Sequence, residues 1–386
     1  MALTKDFGFG PDEQMVRDQA RKLLRDNFGI ERLRKLVAAD HHEAYESAVQ
    51  PAPYDADLWR QMVELGWTGL AVPEDAGGIG MKTIAVATLV EEVGRVALPS
   101  PLVSTLIATM VLRAAGATAW LEGIAAGEAA SLAVTNADGS WEPSDTDVEA
   151  RSRDGRTVLT GTTAFVQDAR KASFFVVSAR GAGGIGLYAV PADAPGLTVT
   201  PDRIVDLTRD QATLRFSNVT VERDATIAPE GRGAAALQAA TPAVLTIVAA
   251  DLCGAAEWQL QTTTEYAKTR VQFDHPIGFF QAVKHPIVNM MLAVDRARSL
   301  TYAAACAIDH EPDDALRLAR MAKAAASDAA AFCSDRSIQL HGGIGFTWEC
   351  DVHLYFKRQK HNQLLYGDAA YQRAKLAELL DVGSSA

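Results

Sequence analysis

The sequence predicts an α+β protein with a helical N-terminal domain, an antiparallel β-domain in the middle and a helical C-terminal domain. Apolar residues recur at helical spacing towards both ends of the chain, whereas the middle holds short Val-, Phe- and Thr-rich runs separated by turn residues. The length sets the scale, since 386 residues with 48% hydrophobic side chains suffice for two or three domains. We place the domains at residues 1–128, 129–231 and 232–386.

The N-terminal domain is predicted to consist of helices. One begins at Pro11, because proline suits the first turn of a helix and apolar residues follow it on one face. Asp55 is predicted to cap a second helix, which Gly66 ends, since an aspartate side chain accepts a hydrogen bond from a free N–H group of the first turn. A third helix is expected over Ile84–Val96, after the Gly-rich loop Gly77–Gly80.

The middle domain is predicted from four runs that are rich in β-branched and aromatic residues. These predicted strands are Thr157–Val166, Ala172–Ala179, Gly186–Val190 and Ala212–Val221. Gly181, Gly183 and Gly186 spell the GxGxxG pattern of a dinucleotide-binding fold, but such a fingerprint must open a helix, and the residues after Gly186 read as another strand. We therefore interpret these glycines as a hairpin loop.

The C-terminal domain is predicted to be helical, because the chain becomes rich in Ala and Leu at helical spacing from about Arg232. The predicted helices are Asp251–Lys268, Ala282–Ile308, Asp313–Leu340 and Ala369–Leu380.

Composition excludes several classes of protein. The formal net charge of −11, without a long basic run, argues against a nucleic-acid partner. We expect no membrane span, because no apolar run approaches the roughly 20 residues that cross a bilayer. The N-terminus carries no secretion signal, so we expect a cytoplasmic protein. The four cysteines are widely spaced and predicted to be buried small residues rather than disulfides or metal ligands, and we predict no metal site.

The segment Gln339–Glu349 combines an amide side chain, three glycines and an acid within eleven residues, after a long predicted helix. Glycines allow a phosphate or a base of a cofactor to lie against bare backbone N–H groups, and Gln339 can hydrogen-bond a base or a ribose. A helix C-cap followed by a turn would use Gly342 and Gly343 equally well. These residues alone leave both interpretations open.

Four segments, in the order expected, resemble the acyl-CoA dehydrogenase family. Gln339–Glu349 resembles the family's C-terminal FAD motif. Thr269–Phe273, followed by Ile277 and Gln281, is similar to its R-x-x-F-G-x-x-I segment, which reaches FAD across a subunit interface, although Asp274 stands where the family usually has Gly. Ala71–Gly80 resembles the N-terminal loop of the family, and Leu132–Ser140 resembles its flavin-facing strand in a shortened form.

This resemblance implies an FAD-dependent enzyme whose C-terminal domain is a four-helix bundle. The implied cofactor-binding residues are Thr135, Ser140, Phe165, Gln167, Arg270, Gln272, Phe273, Gln281, Gln339, Gly342, Gly343 and Glu349. It implies α,β-dehydrogenation of an acyl-CoA thioester, with electrons passed to an electron-transfer flavoprotein. It also implies a homotetramer, or a heterotetramer with a paralogous chain. Residues expected near the acyl group are Leu98, Pro99, Pro101, Leu102 and Thr105–Met110.

Removal of the α-proton requires a carboxylate base. Counting from Arg358, the position of the family's usual glutamate holds Gly367, and a second family position holds Val244. Asp368 is the best available substitute, although an Asp directly before a predicted helix is also a good N-cap. Asp251 is a weaker candidate, which would otherwise pair with an arginine.

Two kinds of function therefore remain open. In the first, the chain is an acyl-CoA dehydrogenase that uses Asp368 or another acid as its base. In the second, it is a non-catalytic or half-site subunit that completes FAD binding for a related chain, which supplies the glutamate. The Tyr-Gly-Asp ending resembles the bacterial group that includes heteromeric steroid side-chain dehydrogenases. An acyl-CoA oxidase or a flavin hydroxylase on the same fold is a third possibility.

Overall fold

The computed structural model describes residues 7–39, 41–47, 49–153 and 155–383, and it confirms the predicted fold class. The N-terminal helices are α1 (Pro11–Asn27), α2 (Ile30–Ala38), α3 (His41–Glu46), α4 (Ala56–Glu64), α5 (Thr83–Arg95), α6 (Leu102–Ala115) and α7 (Thr118–Ala125). The predicted start at Pro11 is confirmed, and the Asp55 carboxylate accepts a hydrogen bond of 3.0 Å from the Leu58 N–H group as the N-cap of α4.

The middle domain is a sheet of eight strands, twice the number predicted. They are β1 (Ala130–Ala133), β2 (Asp147–Arg153), β3 (Arg156–Gln167), β4 (Phe174–Gly181), β5 (Gly184–Pro191), β6 (Leu197–Pro201), β7 (Gln211–Val221) and β8 (Thr226–Ala228). The order is β6-β7-β3-β2-β4-β5-β8, with β1 beside β4. The prediction of a purely antiparallel sheet is wrong, because β1 and β2 both pair with β4 in parallel.

The glycine-rich pattern after β4 lies in a hairpin, as predicted. Gly181 and Gly184 are paired at the end of the antiparallel strands β4 and β5, and Gly184 has a φ of 109° that favours glycine. Because β5 is a strand, no helix N-terminus is available there for a pyrophosphate.

In its described residues, the C-terminal domain contains five α-helices and a small hairpin. The elements are α8 (Gly233–Thr269), β9 (Val271–Gln272), β10 (His275–Pro276), α9 (Gln281–His310), α10 (Pro312–His341), α11 (Val352–Leu364) and α12 (Ala369–Gly383). Helix α8 is long and apolar enough to cross a membrane by composition, so the expectation that no segment is that apolar is wrong. However, 83% of its most apolar window is buried inside the fold, as in the core helix of a globular domain.

Two glycines let α5 of the N-terminal domain press directly against α8. A Cβ atom on Gly94 would overlap the backbone of Asp251, and one on Gly254 would overlap the backbone of Glu91. Side chains larger than hydrogen would force the two helices apart. Asp251, which lies at this crossing, is buried.

Candidate flavin and acyl sites

An aromatic ring lies at the mouth of a cleft between the sheet and the C-terminal helices. Phe165 sits where the register of β3 against β7 shifts, and its φ of 59° is uncommon for an aromatic residue. The shift turns the side chain out of the sheet, so that it is 38% exposed and lines a cavity of about 760 Å³. Gly139 lines the same cavity, and a Cβ atom there would lie 3.6 Å from the Phe165 ring. A flat apolar group can therefore stack in this cleft.

Three polar residues predicted for the cofactor lie near Phe165. Thr135 is buried, and its carbonyl accepts hydrogen bonds from Ala164 N–H at 3.0 Å and from the Thr163 hydroxyl at 2.8 Å. Ser140 is engaged locally, because its hydroxyl donates to Asp145 at 2.7 Å.

Gln167, the third of these residues, is fixed by its neighbours. Its Nε2 donates to the Gln211 side chain at 3.0 Å, and its Oε1 lies 2.7 Å from His361 Nε2. Burial lowers the pKa of His361 to about 4, so the imidazole is neutral near pH 7 and Nε2–H donates to Gln167. The amide of Gln167 is thus oriented beside the cleft by groups that carry no charge.

The second predicted cofactor segment forms a hairpin on the surface. Phe273 and Asp274 connect β9 to β10 as a two-residue turn, and both have positive φ values, of 53° and 62°. Such turns favour Gly, Asn or Asp, which explains how Asp274 is tolerated where glycine is usual. The turn presents Phe273 to solvent with 84% of the residue exposed. Arg270, Gln272 and Gln281 are also exposed.

The third predicted segment follows the end of α10. Gln339, Gly342, Gly343 and Glu349 are all exposed, and Gly342 has a φ of 66°. This segment adjoins the hairpin, because the Tyr266 ring near the end of α8 stacks on His341 at 4.3 Å and its hydroxyl donates to the His341 carbonyl.

The predicted cofactor residues therefore form two sets. Thr135, Ser140, Phe165 and Gln167 belong to the middle domain, and among them Phe165 lines the cleft. We call the other set the adenosine-side surface, defined by Arg270, Gln272, Phe273, Gln281, Gln339, Gly342, Gly343 and Glu349. No residue of this second set lines the cleft of Phe165. In the described part of the chain, the two sets therefore do not line the same cleft.

A second cavity, of about 290 Å³, lies between the sheet and helices α8 and α10. Val244, the alternative base position, lines it with other aliphatic side chains, and we call it the acyl cavity. Trp141 and Tyr366 line both this cavity and a smaller one of about 20 Å³, with ring centroids 4.7 Å apart. Because Trp141 also lines the cleft of Phe165, the pair stands between the cleft and the acyl cavity.

The residues expected near the acyl group are all buried. Of the ranges predicted, Ile107 borders the small cavity beside Trp141. The structure instead brings Val111, Leu132 and Leu237 to the acyl cavity. Their apolar character was visible in the sequence, but nothing in their spacing distinguishes a cavity wall from ordinary core packing.

Gly367 has a backbone conformation that favours glycine, and a neighbouring ring lies where a side chain would begin. Its φ is 89°, and a Cβ atom would overlap the Tyr371 ring. The preceding residue, Tyr366, also has a positive φ, of 56°. Gly367 lines the cleft of Phe165, whereas Tyr366 lines the acyl cavity. In this conformation the loop offers the acyl cavity a phenol rather than a carboxylate.

The two acids considered as bases have other partners. Asp368 is exposed at the edge of the cleft and accepts a hydrogen bond of 2.8 Å from Tyr371 N–H, which makes it the N-cap of α12. Asp251 is buried against Arg358, at 2.9 Å, and Arg209, and the pairing predicted as its alternative is confirmed. Burial disfavours its ionised form, but these two cations prevail and lower the pKa of Asp251.

The acyl cavity has a carboxylate of its own, which the sequence did not reveal. Glu142 lines it, but its oxygen accepts hydrogen bonds from the Tyr371 hydroxyl at 2.6 Å and from Lys375 Nζ at 2.8 Å. Hydrogen bonds from Lys375 and Tyr371 lower the pKa of Glu142, so this carboxylate is a weak base. Its role depends on contacts more than 200 positions away along the chain, which no local pattern displays.

Comparisons with known proteins agree with this architecture. The acyl-CoA dehydrogenase N-terminal domain model matches residues 10–128, and the acyl-CoA dehydrogenase C-terminal domain model matches residues 231–380. By class, these two matched domains indicate an FAD-dependent oxidoreductase. The chain belongs to the acyl-CoA dehydrogenase family.

Among curated relatives, the chain is 34% identical to acyl-CoA dehydrogenase IpdE2 of Mycobacterium tuberculosis, over 90% of this chain and 91% of that protein. IpdE2 of Mycolicibacterium smegmatis is 29% identical over 90% and 97%. Among solved structures, a variant of the Tcur3481-Tcur3483 steroid ACAD is 28% identical with a TM-score of 0.84, over 98% of this chain and all of that chain. The ChsE4-ChsE5 complex from Mycobacterium tuberculosis shares the fold, with 24% identity and a TM-score of 0.84, over 97% and 99%.

Proposed function

We propose that this chain is a half-site subunit of a heteromeric acyl-CoA dehydrogenase, in which a paralogous chain supplies the catalytic glutamate. The observation that carries the proposal is Gly367. Its positive φ and the Tyr371 ring beside it leave no space for the glutamate that family members use as a base.

The carboxylates near the acyl cavity support the proposal. Abstraction of an α-proton requires a carboxylate that is free to accept it and lies within hydrogen-bond reach of the substrate. Glu142 is held by Tyr371 and Lys375, Asp251 is locked between two arginines, and Asp368 caps a helix on the side of the cleft. The Trp141–Tyr366 pair also stands between the acyl cavity and the cleft, which favours a chain that does not itself turn over substrate.

The residues of the cleft fit a flavin. The exposed Phe165 ring offers a stacking surface, Gly139 leaves room beside it, and Gln167 presents a fixed amide. When bound, FAD supplies the acceptor for the hydride that leaves the β-carbon of an acyl thioester. Thr135 would lie beside the flavin, and Ser140 would serve phosphate groups of the cofactor or substrate, by similarity with the family.

The adenosine-side surface suits the other end of a cofactor held by a second subunit. Arg270 offers a planar cation for a pyrophosphate, and Phe273 offers a flat ring. Exposed apolar side chains surround them on the hairpin, on α9 and after α10; they include Val271, Phe279, Val288, Met291, Leu292, Ile344 and Phe346. Such a surface favours a partner chain. Electrons would then pass from the assembled enzyme to an electron-transfer flavoprotein.

Co-expression with a paralogous chain tests the proposal. We expect the isolated chain to show no acyl-CoA-dependent dye reduction, and the pair to co-purify, bind FAD and reduce the dye. Replacing the glutamate of the paralogue by glutamine should abolish turnover. Arg270→Gln should lower flavin per heteromer, whereas Lys268→Gln, an exposed neighbour at the end of α8, should not. Turnover by the isolated chain at the rate of the pair would contradict the proposal.

Catalysis by Asp368 within this chain is the second candidate. It is favoured by one observation: Asp368 lines the same cleft as Phe165. The two candidates differ in what Asp368→Asn does to the assembled enzyme, because asparagine keeps the cap and removes the base.

A further inference from the structure

A positively charged side chain lines the acyl cavity, although a purely hydrocarbon ligand would make no ionic contact with it. One part of its wall is aliphatic and includes Val111, Leu132, Val134, Leu237, Val244 and Leu316. Arg320 of α10 lines the same cavity. A guanidinium remains protonated at any physiological pH, so a full positive charge borders this apolar space.

Arg320 lacks an anionic partner among the described residues. Its Nε is buried and has no hydrogen-bond acceptor there, and burial lowers its pKa. The acid that shares the cavity, Glu142, is bonded to the Tyr371 hydroxyl and to Lys375 rather than to Arg320. The Arg320 side chain as a whole is half-buried, so the cavity is bordered by a cation that has no carboxylate paired with it.

The guanidinium is nevertheless held in place. Its Nη1 donates to Gln372 Oε1 at 2.9 Å, and Gln372 Nε2 donates to the Tyr366 carbonyl at 2.5 Å. The side chain of Arg320 is therefore tied through α12 to the loop that borders the cavity. A donor that is fixed before binding loses little conformational entropy when a ligand arrives.

We propose that the acyl cavity binds an anionic amphiphile, with an apolar body against the aliphatic wall and a carboxylate on Arg320. This inference goes beyond the proposed function, because it concerns which ligand the cavity recognises. It is valid whether or not this chain catalyses a reaction. A phosphate of coenzyme A could offer the same anionic chemistry, so the test separates a carboxylate on the apolar body from a phosphate of the carrier.

The test is calorimetric titration of the full chain, in its flavin-loaded assembly where one forms, with 3-cyclohexylpropanoate and with the corresponding neutral amide at pH 7.5. We expect the acid to bind and the amide to bind at least tenfold more weakly, because charge-assisted hydrogen bonds to a guanidinium are strong. Arg320→Gln should weaken the acid at least tenfold and leave the amide unchanged. Coenzyme A alone should not displace the acid.

Arg317→Gln is the matched control. Arg317 lies one turn earlier on α10, pairs with Asp314 at 2.8 Å and does not line the cavity, so its replacement should leave the affinity for the acid within twofold. Leu316→Trp narrows the cavity without changing charge and should weaken acid and amide alike. If Arg320→Gln fails to fold, Leu316→Trp still tests whether the acid binds in this cavity.

Three results would overturn the inference. They are equal affinity for the acid and the amide, acid binding that survives both Arg320→Gln and Leu316→Trp, and displacement of the acid by coenzyme A alone. Because the readout is binding rather than turnover, failure here would leave the result of the co-expression experiment unaffected.

Discussion

Two buried cationic regions contact α11, and they differ in the groups that neutralise or hydrogen-bond their positive charge. Around Asp251, the guanidinium groups of Arg358 and Arg209 meet one carboxylate, and the Asn362 amide donates to it at 3.1 Å. Beneath the loop before α12, Lys323 forms no salt bridge with any carboxylate of the described residues. Its ammonium donates to Ser327 Oγ at 3.0 Å and to the carbonyls of Gln363 and Gly367 at 3.0 and 2.9 Å.

The difference appears in the protonation of the two sites. Paired arginines keep Asp251 ionised despite complete burial. The neutral oxygens around Lys323 offset less of the desolvation cost of its charge, so burial lowers the pKa of Lys323 to about 7. The first region is a charge cluster that ties α8 to α11. The second holds the Gly367 loop with a cation that can lose its proton.

The largest effect should come from breaking the charge cluster. Asp251→Ala leaves two buried guanidinium groups without their acid, and we expect a loss of about 3–5 kcal/mol of stability. Urea unfolding followed by circular dichroism would measure it. Glu265→Ala, on the exposed end of the same helix, should cost less than about 0.5 kcal/mol. Equal losses of unfolding free energy for both variants would mean that the charge cluster does not stabilise the fold more than an exposed ion pair does.

The loop should show the next largest effect, as a dependence on pH. Between pH 7 and 10 the unfolded chain retains a proton on Lys323 that the folded chain has released, so stability rises with pH by at most about 1.4 kcal/mol per unit. Below pH 7 both states are protonated and this contribution is constant. Lys323→Met should remove that slope, and unfolding at pH 7, 8 and 9 would measure it. Lys268→Met, at an exposed site, should keep the slope.

The smallest effect concerns the far end of the loop. Asp368→Ala removes the N-cap of α12 and should cost about 1 kcal/mol, whereas Asp368→Asn keeps an acceptor and should cost less than about 0.5 kcal/mol. Thermal unfolding would measure both. In the heteromer, Asp368→Asn should leave turnover within twofold of the unsubstituted enzyme. A loss of turnover with unchanged stability would assign the base to Asp368.

Much of the fold could be predicted because its signals are local. β3 and β7 lie within one residue of their predicted ends, since their β-branched residues mark the strands directly. α11 was not predicted, because its polar sequence has weak periodicity and it forms against α10 and α8. β1 has only four residues, all buried, so it shows no alternation that would identify a strand.

The site was harder to predict because its geometry depends on distant residues. The sequence suggested that Asp251 would pair with an arginine, but Arg358 lies 107 positions away on another helix, and no local pattern around Asp251 identifies it as the partner. The strand irregularity that turns Phe165 outward is a property of the pairing between β3 and β7, and the residues next to Phe165 show no pattern that predicts it.

The hairpin turn at Phe273 and Asp274 has a consequence for how the chain must be produced. In this turn the Phe273 ring is 84% exposed, and its aromatic neighbour, Phe280, covers little of it. A copy of the chain in which nothing covers the Phe273 ring exposes an apolar side chain that favours aggregation. If the proposed partner chain covers this ring, the soluble yield of recombinant chain should rise when the partner is produced with it.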